Sequence, residues 1–201
     1  MKKLASVFVL LSLFALSGCG DSYPQELSVY SFDTAIIQYE IGGISQGDET
    51  VYMRGDQKSS HRFVTTGAQE ENTLQLDLGN DRYVADLNKM TATKVKNNDY
   101  EKLISMSKEE QEKYLVRKAL GLKDSVEVPE PLTTAMVAGQ KCKLYEIENI
   151  GVACIWEGVV LKKEISILGN SSTKTAVSAE VNVDIAKERF ELPAGVILTN
   201  E

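Results

Sequence analysis

Histidine occurs only once in this sequence, at position 61, and tryptophan only once, at position 156. A lone histidine cannot supply the paired imidazoles of common zinc sites, and the metalloprotease pattern His-Glu-x-x-His is absent. Walker loops and Gly-x-Gly-x-x-Gly patterns, which cradle phosphates, are absent as well. We therefore expect no enzyme, no catalytic residue, no metal and no cofactor. We interpret His61 as a surface or edge residue, and a hydrolase using it is the least favoured alternative.

Basic residues are scarce relative to acidic ones, with 22 Lys and Arg against 29 Asp and Glu, a net charge of −7. Nucleic-acid binding depends on cationic contacts to phosphate, so we expect no nucleic-acid partner. The same deficit argues against adhesion to anionic lipid through surface charge.

The N-terminus holds an apolar run, Leu4 to Leu16, preceded by Lys2 and Lys3. It is too short to cross ~30 Å of hydrocarbon as a helix. The run ends in Leu-Ser-Gly-Cys, so the segment is typical of a secretory signal with a lipoprotein cleavage box. We predict a signal peptide over 1–18 and lipid attachment at Cys19, which would hold the protein at a membrane covalently.

Cleavage before Cys19 leaves 183 of the 201 residues and, with Lys2 and Lys3 removed, a net charge of about −9. This length suits one domain, and we predict a lipidated tether over 19–30 and a single domain over 31–201. Proteins resembling Gram-negative lipoproteins stay at the inner membrane when aspartate follows the cysteine. Gly20 follows Cys19 here, so we expect the periplasmic face of the outer membrane rather than the inner membrane.

Cysteines are few, and lipid attachment at Cys19 would leave only Cys142 and Cys154. In an oxidising compartment such a pair predicts a disulfide, although two separate buried thiols remain an alternative. A hairpin turn centred on Glu148 would place the two cysteines directly opposite each other, within reach of a bond. We expect a structural role, because no Cys-x-x-Cys pattern is present.

Period-two alternation dominates the domain, as in Ala35, Ile37, Tyr39 and Ile41. Together with glycine-rich turns it predicts five antiparallel strands between residues 33 and 95 and further strands between 141 and 185. A broken helical segment of about 20 residues is expected between them, with a capping box at Ser107 and Glu110.

Three stretches resemble the LolA/LolB-like group of periplasmic proteins. They are residues 35–63, with Tyr-x-Ile-x-Gly followed by Glu-Thr-Val-Tyr; residues 83–93, YVADLNKMTAT; and residues 176–196, which close on Phe-Glu-Leu-Pro. The resemblance implies an α+β fold, in which a strongly curved antiparallel sheet (an incomplete β-barrel) carries helices packed on its concave side. It also implies an apolar cavity for acyl chains.

On this basis we expect a membrane-anchored periplasmic protein, a monomer, that binds a lipid or an acylated protein such as a lipoprotein. The candidate cavity-lining residues are Ile37, Tyr39, Leu76, Tyr83 and Trp156, with helix 99–121 as a lid. Trp156 could instead be a core aromatic beside the disulfide. The alternative function is a cell-envelope interaction or sensor lipoprotein that uses the same fold as a scaffold, without a ligand cavity.

Overall fold

The structure, a computed structural model, describes residues 30–147 and 150–199. The predicted signal peptide, Cys19 and residues 19–29 of the predicted tether lie outside the described residues. The strands are β1 (Thr34–Gly43), β2 (Gln46–Arg54), β3 (Gln57–Thr66), β4 (Gln69–Leu78), β5 (Asp81–Asp86), β6 (Thr91–Lys96), β7 (Thr133–Val137), β8 (Gln140–Ile147), β9 (Gly151–Trp156), β10 (Val159–Ile167), β11 (Asn170–Val181) and β12 (Ile197–Thr199). The α-helices are α1 (Asn98–Ile104) and α2 (Lys108–Leu120), and a 3-10 helix covers Lys187–Phe190.

All described strands belong to one sheet, in the order β12-β6-β5-β4-β3-β2-β1-β11-β10-β9-β8-β7. The sheet is mixed, because β12 pairs with β6 in parallel while the other pairs are antiparallel. Strand makes up 56% of the structure and helix 14%. The expected α+β fold, an antiparallel incomplete barrel with helices packed on its concave side, is therefore wrong. The two helices, of 7 and 13 residues, contact parts of the sheet but do not form a layer over it.

The ladder from β1 to β5 fixes which residues share a face. Ile37 lies opposite Val51, and the same row continues through Ser60 and Gln75 to Val84. No register shift interrupts these pairs, so residues directly opposite one another point to the same side. The neighbouring row, in which Leu76 lies opposite Tyr83, points to the other side.

One apolar cluster covers the first face. It joins Ile37 and Val51 to Leu161 and to the disulfide between Cys142 and Cys154, all of them buried. Since β2 and β8 are five places apart in strand order, the sheet must bend over this face for the cluster to form.

The predicted disulfide is present, but its predicted register is wrong. Cys154 lies opposite Leu144 in the β8–β9 pair, and Cys142 lies diagonally across from it at a Cα–Cα distance of 5.4 Å. The turn between the two strands is therefore not centred on Glu148.

A second apolar cluster lies on the opposite face of the sheet, over β4 to β6. Leu74, Leu76, Ala85 and Ala92 form it, and the C-terminal residues Leu192 and Val196 pack against it. The C-terminal segment therefore covers apolar surface that would otherwise face water.

The predicted helical break and cap are confirmed. Ser107 accepts a hydrogen bond from the backbone of Glu110, whose side chain accepts one from the backbone of Ser107. Helix α2 ends at Gly121 in the left-handed conformation and packs Val116 and Leu120 against residues of β8 and β9. Neither described helix has the length and apolarity needed to cross a membrane.

The prediction of five strands before the helices missed β6. Its sequence, TATKVK, places small and charged residues where a buried face would carry larger apolar ones. The edge strands β7 and β12 were missed as well, and β12 has only three residues, all exposed. The predicted strand through residue 185 ends at Val181.

The β9–β10 turn offers a test of how α2 is held. Gly158 has φ +79°, and a Cβ there would lie 2.5 Å from Leu115 of α2, whereas Gly139 has φ +77° and open space around it. We expect Gly139→Ala to lower the free energy of unfolding by about 1–2 kcal/mol, the cost of the backbone conformation. Gly158→Ala should cost a further ~1–3 kcal/mol because of the clash. Urea denaturation of both variants checks this, and equal losses would contradict the packing.

The disulfide closes a loop with a sequence separation of 12 residues. Loop-closure entropy predicts that replacing both Cys142 and Cys154 by alanine lowers the free energy of unfolding by about 3 kcal/mol. Denaturation with and without reductant provides the control, since reductant should destabilise the native protein but not the double variant. A native protein indifferent to reductant would refute a stabilising bond.

Candidate functional site

The structure distributes the five candidate cavity residues over both faces of the sheet. Ile37 and Tyr39 are buried in the first cluster, while Leu76 is buried in the second and Tyr83 packs against it. Trp156 is half-buried beside the first cluster. The five residues do not line one cavity within the described residues, and Ile37 and Leu76 are almost wholly enclosed by protein.

Tyr39 belongs to a buried polar group on β1, β2 and β11. The ammonium of Lys174 lies 4.1 Å from the centre of its ring and 2.7 Å from a carboxylate oxygen of Glu49, which also accepts a hydrogen bond from Ser60. Burial opposes ionisation of Glu49, but Lys174 and Ser60 outweigh it and lower the pKa of the carboxyl. Glu49 and Lys174 therefore neutralise each other, and the ammonium of Lys174 packs against the ring of Tyr39.

Trp156 packs against the aromatic residues of the N-terminal segment. Its ring stacks on Phe32 with centroids 5.0 Å apart, and Phe32 stacks on Tyr30 at 5.1 Å. The carboxylate of Glu157 accepts hydrogen bonds from the backbone N–H and the hydroxyl of Ser31. The chain therefore enters the domain at a fixed place, next to the β9–β10 turn.

A cleft of about 210 Å³ lies between the two helices and the sheet; we call it the helix cleft. Its sheet side follows one row across four strands, in which Met53, Lys58, Asp77 and Arg82 are successive opposite neighbours. Its helix side carries, among others, Asp99, Tyr100, Tyr114 and Lys118, and Tyr30 completes the lining at the N-terminal segment.

The charged side chains of the helix cleft are paired with one another. Arg82 donates a hydrogen bond to Asp77 and another to Asn97, and its guanidinium lies 3.7 Å from Asp99. Asp99 also accepts hydrogen bonds from the hydroxyl of Tyr114 and from Lys118, at 2.9 Å for the latter. This chain of contacts ties α1 and α2 to β4 and β5.

The pKa values of Asp99, Tyr114 and Tyr30 in the helix cleft are shifted away from neutral pH. Burial opposes ionisation of Asp99, but its hydrogen bonds from Tyr114 and Lys118 prevail and lower its pKa. Burial and the neighbouring Asp99 raise the pKa of Tyr114, and burial beside Asp77 raises the pKa of Tyr30 to about 12. These groups keep their charge state at neutral pH, where a general acid or base must change it. Within the described residues no cluster of His, Cys, Asp and Glu could hold a metal ion.

His61 lies on β3, exposed, with its ring nitrogen 2.8 Å from the side-chain oxygen of Asn72. The segment Gly43–Gly47 spells Gly-x-Ser-x-Gly, a hydrolase pattern that the prediction of no enzyme overlooked. Its Ser45 lies in the turn of the β1–β2 hairpin and shares a hydrogen bond with Thr66. A nucleophile elbow requires a strand–turn–helix context, which is absent at this hairpin.

Exposed apolar side chains gather at the end of the sheet opposite the N-terminal segment. Leu168 forms the tip of the β10–β11 hairpin and is 96% exposed, and Ile167, Ile44 and Ile150 lie in or beside adjoining turns. The turns are joined by backbone hydrogen bonds from Ile44 to Ser171 and from Ser166 to Ile150. We call the patch formed by Leu168, Ile167, Ile44 and Ile150 the hairpin-tip surface.

The comparisons with known proteins give a fold neighbour and no family. No family model matches the chain, and no curated protein matches it. An uncharacterized conserved protein from Thermus thermophilus has a similar structure, with a TM-score of 0.55 and 4% identity over 85% of this chain and 92% of that one. PNGF-II aligns with a TM-score of 0.46 and 13% identity over 84% of this chain and 32% of that one. At these identities the first likeness concerns the fold alone, and the resemblance to the LolA/LolB-like group stays a prediction.

The charge network of the helix cleft predicts a pH-dependent contribution to stability. Because the pKa of Asp99 is lowered by folding, its stabilisation is present above the unfolded pKa of ~3.9 and is lost as pH falls through the folded pKa. We expect Asp99→Asn to lower the free energy of unfolding by about 1–2 kcal/mol at pH 7 and to approach the unmodified protein below pH ~3.

Asp124→Asn is the control for this prediction, because Asp124 is exposed and its contact with Lys102, at 3.5 Å, faces water. It should change stability by less than ~0.5 kcal/mol at either pH. Denaturation curves between pH ~2.5 and ~7 measure both variants, and a pH-independent loss for Asp99→Asn would count against the network.

Proposed function

We propose that this protein is a lipid-anchored protein of the bacterial cell envelope that binds a protein partner through the hairpin-tip surface, without catalysing a reaction. The anchor is the lipid on Cys19. The observation that carries the proposal is Leu168, a large apolar side chain that is 96% exposed at the end of the sheet away from the N-terminal segment.

The backbone conformation of the turn at Leu168 explains why the exposure of this side chain is informative. Leu168 and Gly169 have φ +51° and +79°, the signs of a two-residue type I′ turn, which favours Asn-Gly. A leucine in this backbone region carries a conformational cost and buries nothing in return. Folding therefore gives no reason for leucine at this position, whereas a partner that covers it does.

The neighbours of Leu168 are also exposed and apolar, so together they form a continuous patch. Scattered apolar residues on a surface are ordinary, but joined ones mark interaction sites. Beside the tip, Ile150, Val152 and Ile165 line a mostly apolar depression of about 350 Å³. Asp48 and Glu146 lie exposed near the same end of the sheet, so a partner with basic residues around an apolar contact would fit best.

Reception of an acyl chain inside the domain, the first expectation from sequence, has less support. The helix cleft is lined by three carboxylates and three cationic groups, and its volume of about 210 Å³ leaves little room for a long acyl chain. An acyl chain placed there would remove water from these charges without replacing their hydrogen bonds.

Leu168→Asn tests the proposal, because Asn-Gly suits the type I′ turn and removes the apolar side chain. Stability should stay unchanged or rise by up to ~1 kcal/mol, while partner binding falls at least about tenfold. Binding is measured by photo-crosslinking from a benzophenone amino acid at Ile167 in living cells. The probe placed at Met136, exposed near the other end of the sheet, is the matched control.

We expect one dominant protein adduct from position 167 that is absent from position 136 and lost when Leu168→Asn is added. Adducts only with lipid, or identical adducts from both positions, would overturn the proposal.

A further inference from the structure

The helix cleft has balanced charge in an acidic protein. Its charged lining residues are three acids, Asp56, Asp77 and Asp99, and three bases, Lys58, Arg82 and Lys118. The whole chain has a net charge of −7. A site for phosphate would carry surplus positive charge, and a site for a cation would carry carboxylates without cationic partners. The balance therefore favours a ligand without net charge.

The lining also favours a ligand rich in hydrogen-bonding groups. The carboxylates of Asp56 and Asp77 accept hydrogen bonds, Lys58 donates them, and the amide of Gln75 does both. A hydroxyl group can donate to a carboxylate and accept from an ammonium at once, so several hydroxyls on one ring match such a mixed lining. An apolar ligand would remove water from these groups without replacing the hydrogen bonds that the water makes.

The tyrosines supply flat apolar surface beside the polar groups. Tyr30 and Tyr100 both line the helix cleft, and the hydroxyl of Tyr100 is bound to Asp56 at 3.1 Å, which fixes its ring. A sugar ring has one face of C–H groups that packs on an aromatic ring and a rim of hydroxyls for the polar groups. The volume of about 210 Å³ corresponds to ~7 water molecules, enough for one such ring.

We propose that the helix cleft is a binding site for one neutral sugar residue, free or at the end of a glycan. The site is separate from the hairpin-tip surface and does not depend on the proposed function. Since Tyr30 belongs to the segment that enters the domain from the N-terminus, the sugar would sit beside that entry.

Titration of the purified full-length protein, followed by amide NMR resonances of Gln75, Asn97 and Tyr100, tests the proposal. The probes are glucose and N-acetylglucosamine, with sodium phosphate, calcium chloride and laurate for comparison. We expect at least one sugar to shift these resonances saturably, with half-saturation at ~0.1–10 mM, and the three comparison compounds to leave them unchanged.

Two variants sharpen the test. Asp56→Asn keeps an oxygen that can accept from Tyr100 but loses the carboxylate, and should weaken sugar binding at least about tenfold. Asp81→Asn is the matched control, because Asp81 pairs with Lys94 and does not line the helix cleft. It should leave the affinity unchanged.

No shift with either sugar at about 100 mM would overturn the proposal. Stronger shifts with phosphate, calcium or laurate, or equal weakening by the two variants, would overturn it as well.

Discussion

The uninterrupted ladder from β1 to β6 is the constraint on which the rest of the structure depends. It holds Ile37 and Val51 on one side of the sheet and Leu76 and Ala85 on the other. Because a shift by one residue would turn every side chain of a strand over, this register cannot drift without exposing one apolar set. The sheet consequently has apolar surface on both faces, at different strands, and each face needs its own cover.

Different segments cover the apolar surface on each face, and this explains where the rest of the chain lies. Over β1 and β2 the sheet bends, so that Leu161 and the disulfide of β8 and β9 reach Ile37, and the N-terminal aromatic residues join them. Over β4 to β6 the C-terminal residues Leu192 and Val196 provide the cover. The polar row of β3 to β5, on the first face, is left for the helices, and the ion pairs of Arg82 and Asp99 hold α1 there. The helix cleft lies between this polar row of the sheet and the two helices.

Local features were predictable from the sequence, and long-range ones were not. The buried face of Ala35 to Ile41 and the Ser107 capping box both follow from short patterns with one physical solution. The pairing of Cys142 and Cys154 followed from their number and from the predicted export signal, but their register did not, because it depends on a turn length that composition does not determine. The candidate site was harder still. Alternation reveals that Leu74, Leu76 and Leu78 share a face, but it cannot say which side of the sheet that face occupies relative to Ile37. Assigning both sets to one concave surface produced a cavity that the register does not allow.

The residues of the helix cleft carried no sequence signal as a group, because Asp77, Arg82 and Asp99 meet only through strand pairing and the turn into α1.

Methyl–methyl nuclear Overhauser contacts measure the central claim, that apolar surface lies on opposite faces in the two parts of the sheet. The structure predicts contacts between the methyl groups of Ile37 and Val51, and between the cluster of Leu76 and the methyl groups of Leu192 or Val196, but none between Leu76 and Ile37. A direct contact between Leu76 and Ile37 would place both on one concave face and contradict the register, the two covers and the separate polar cleft.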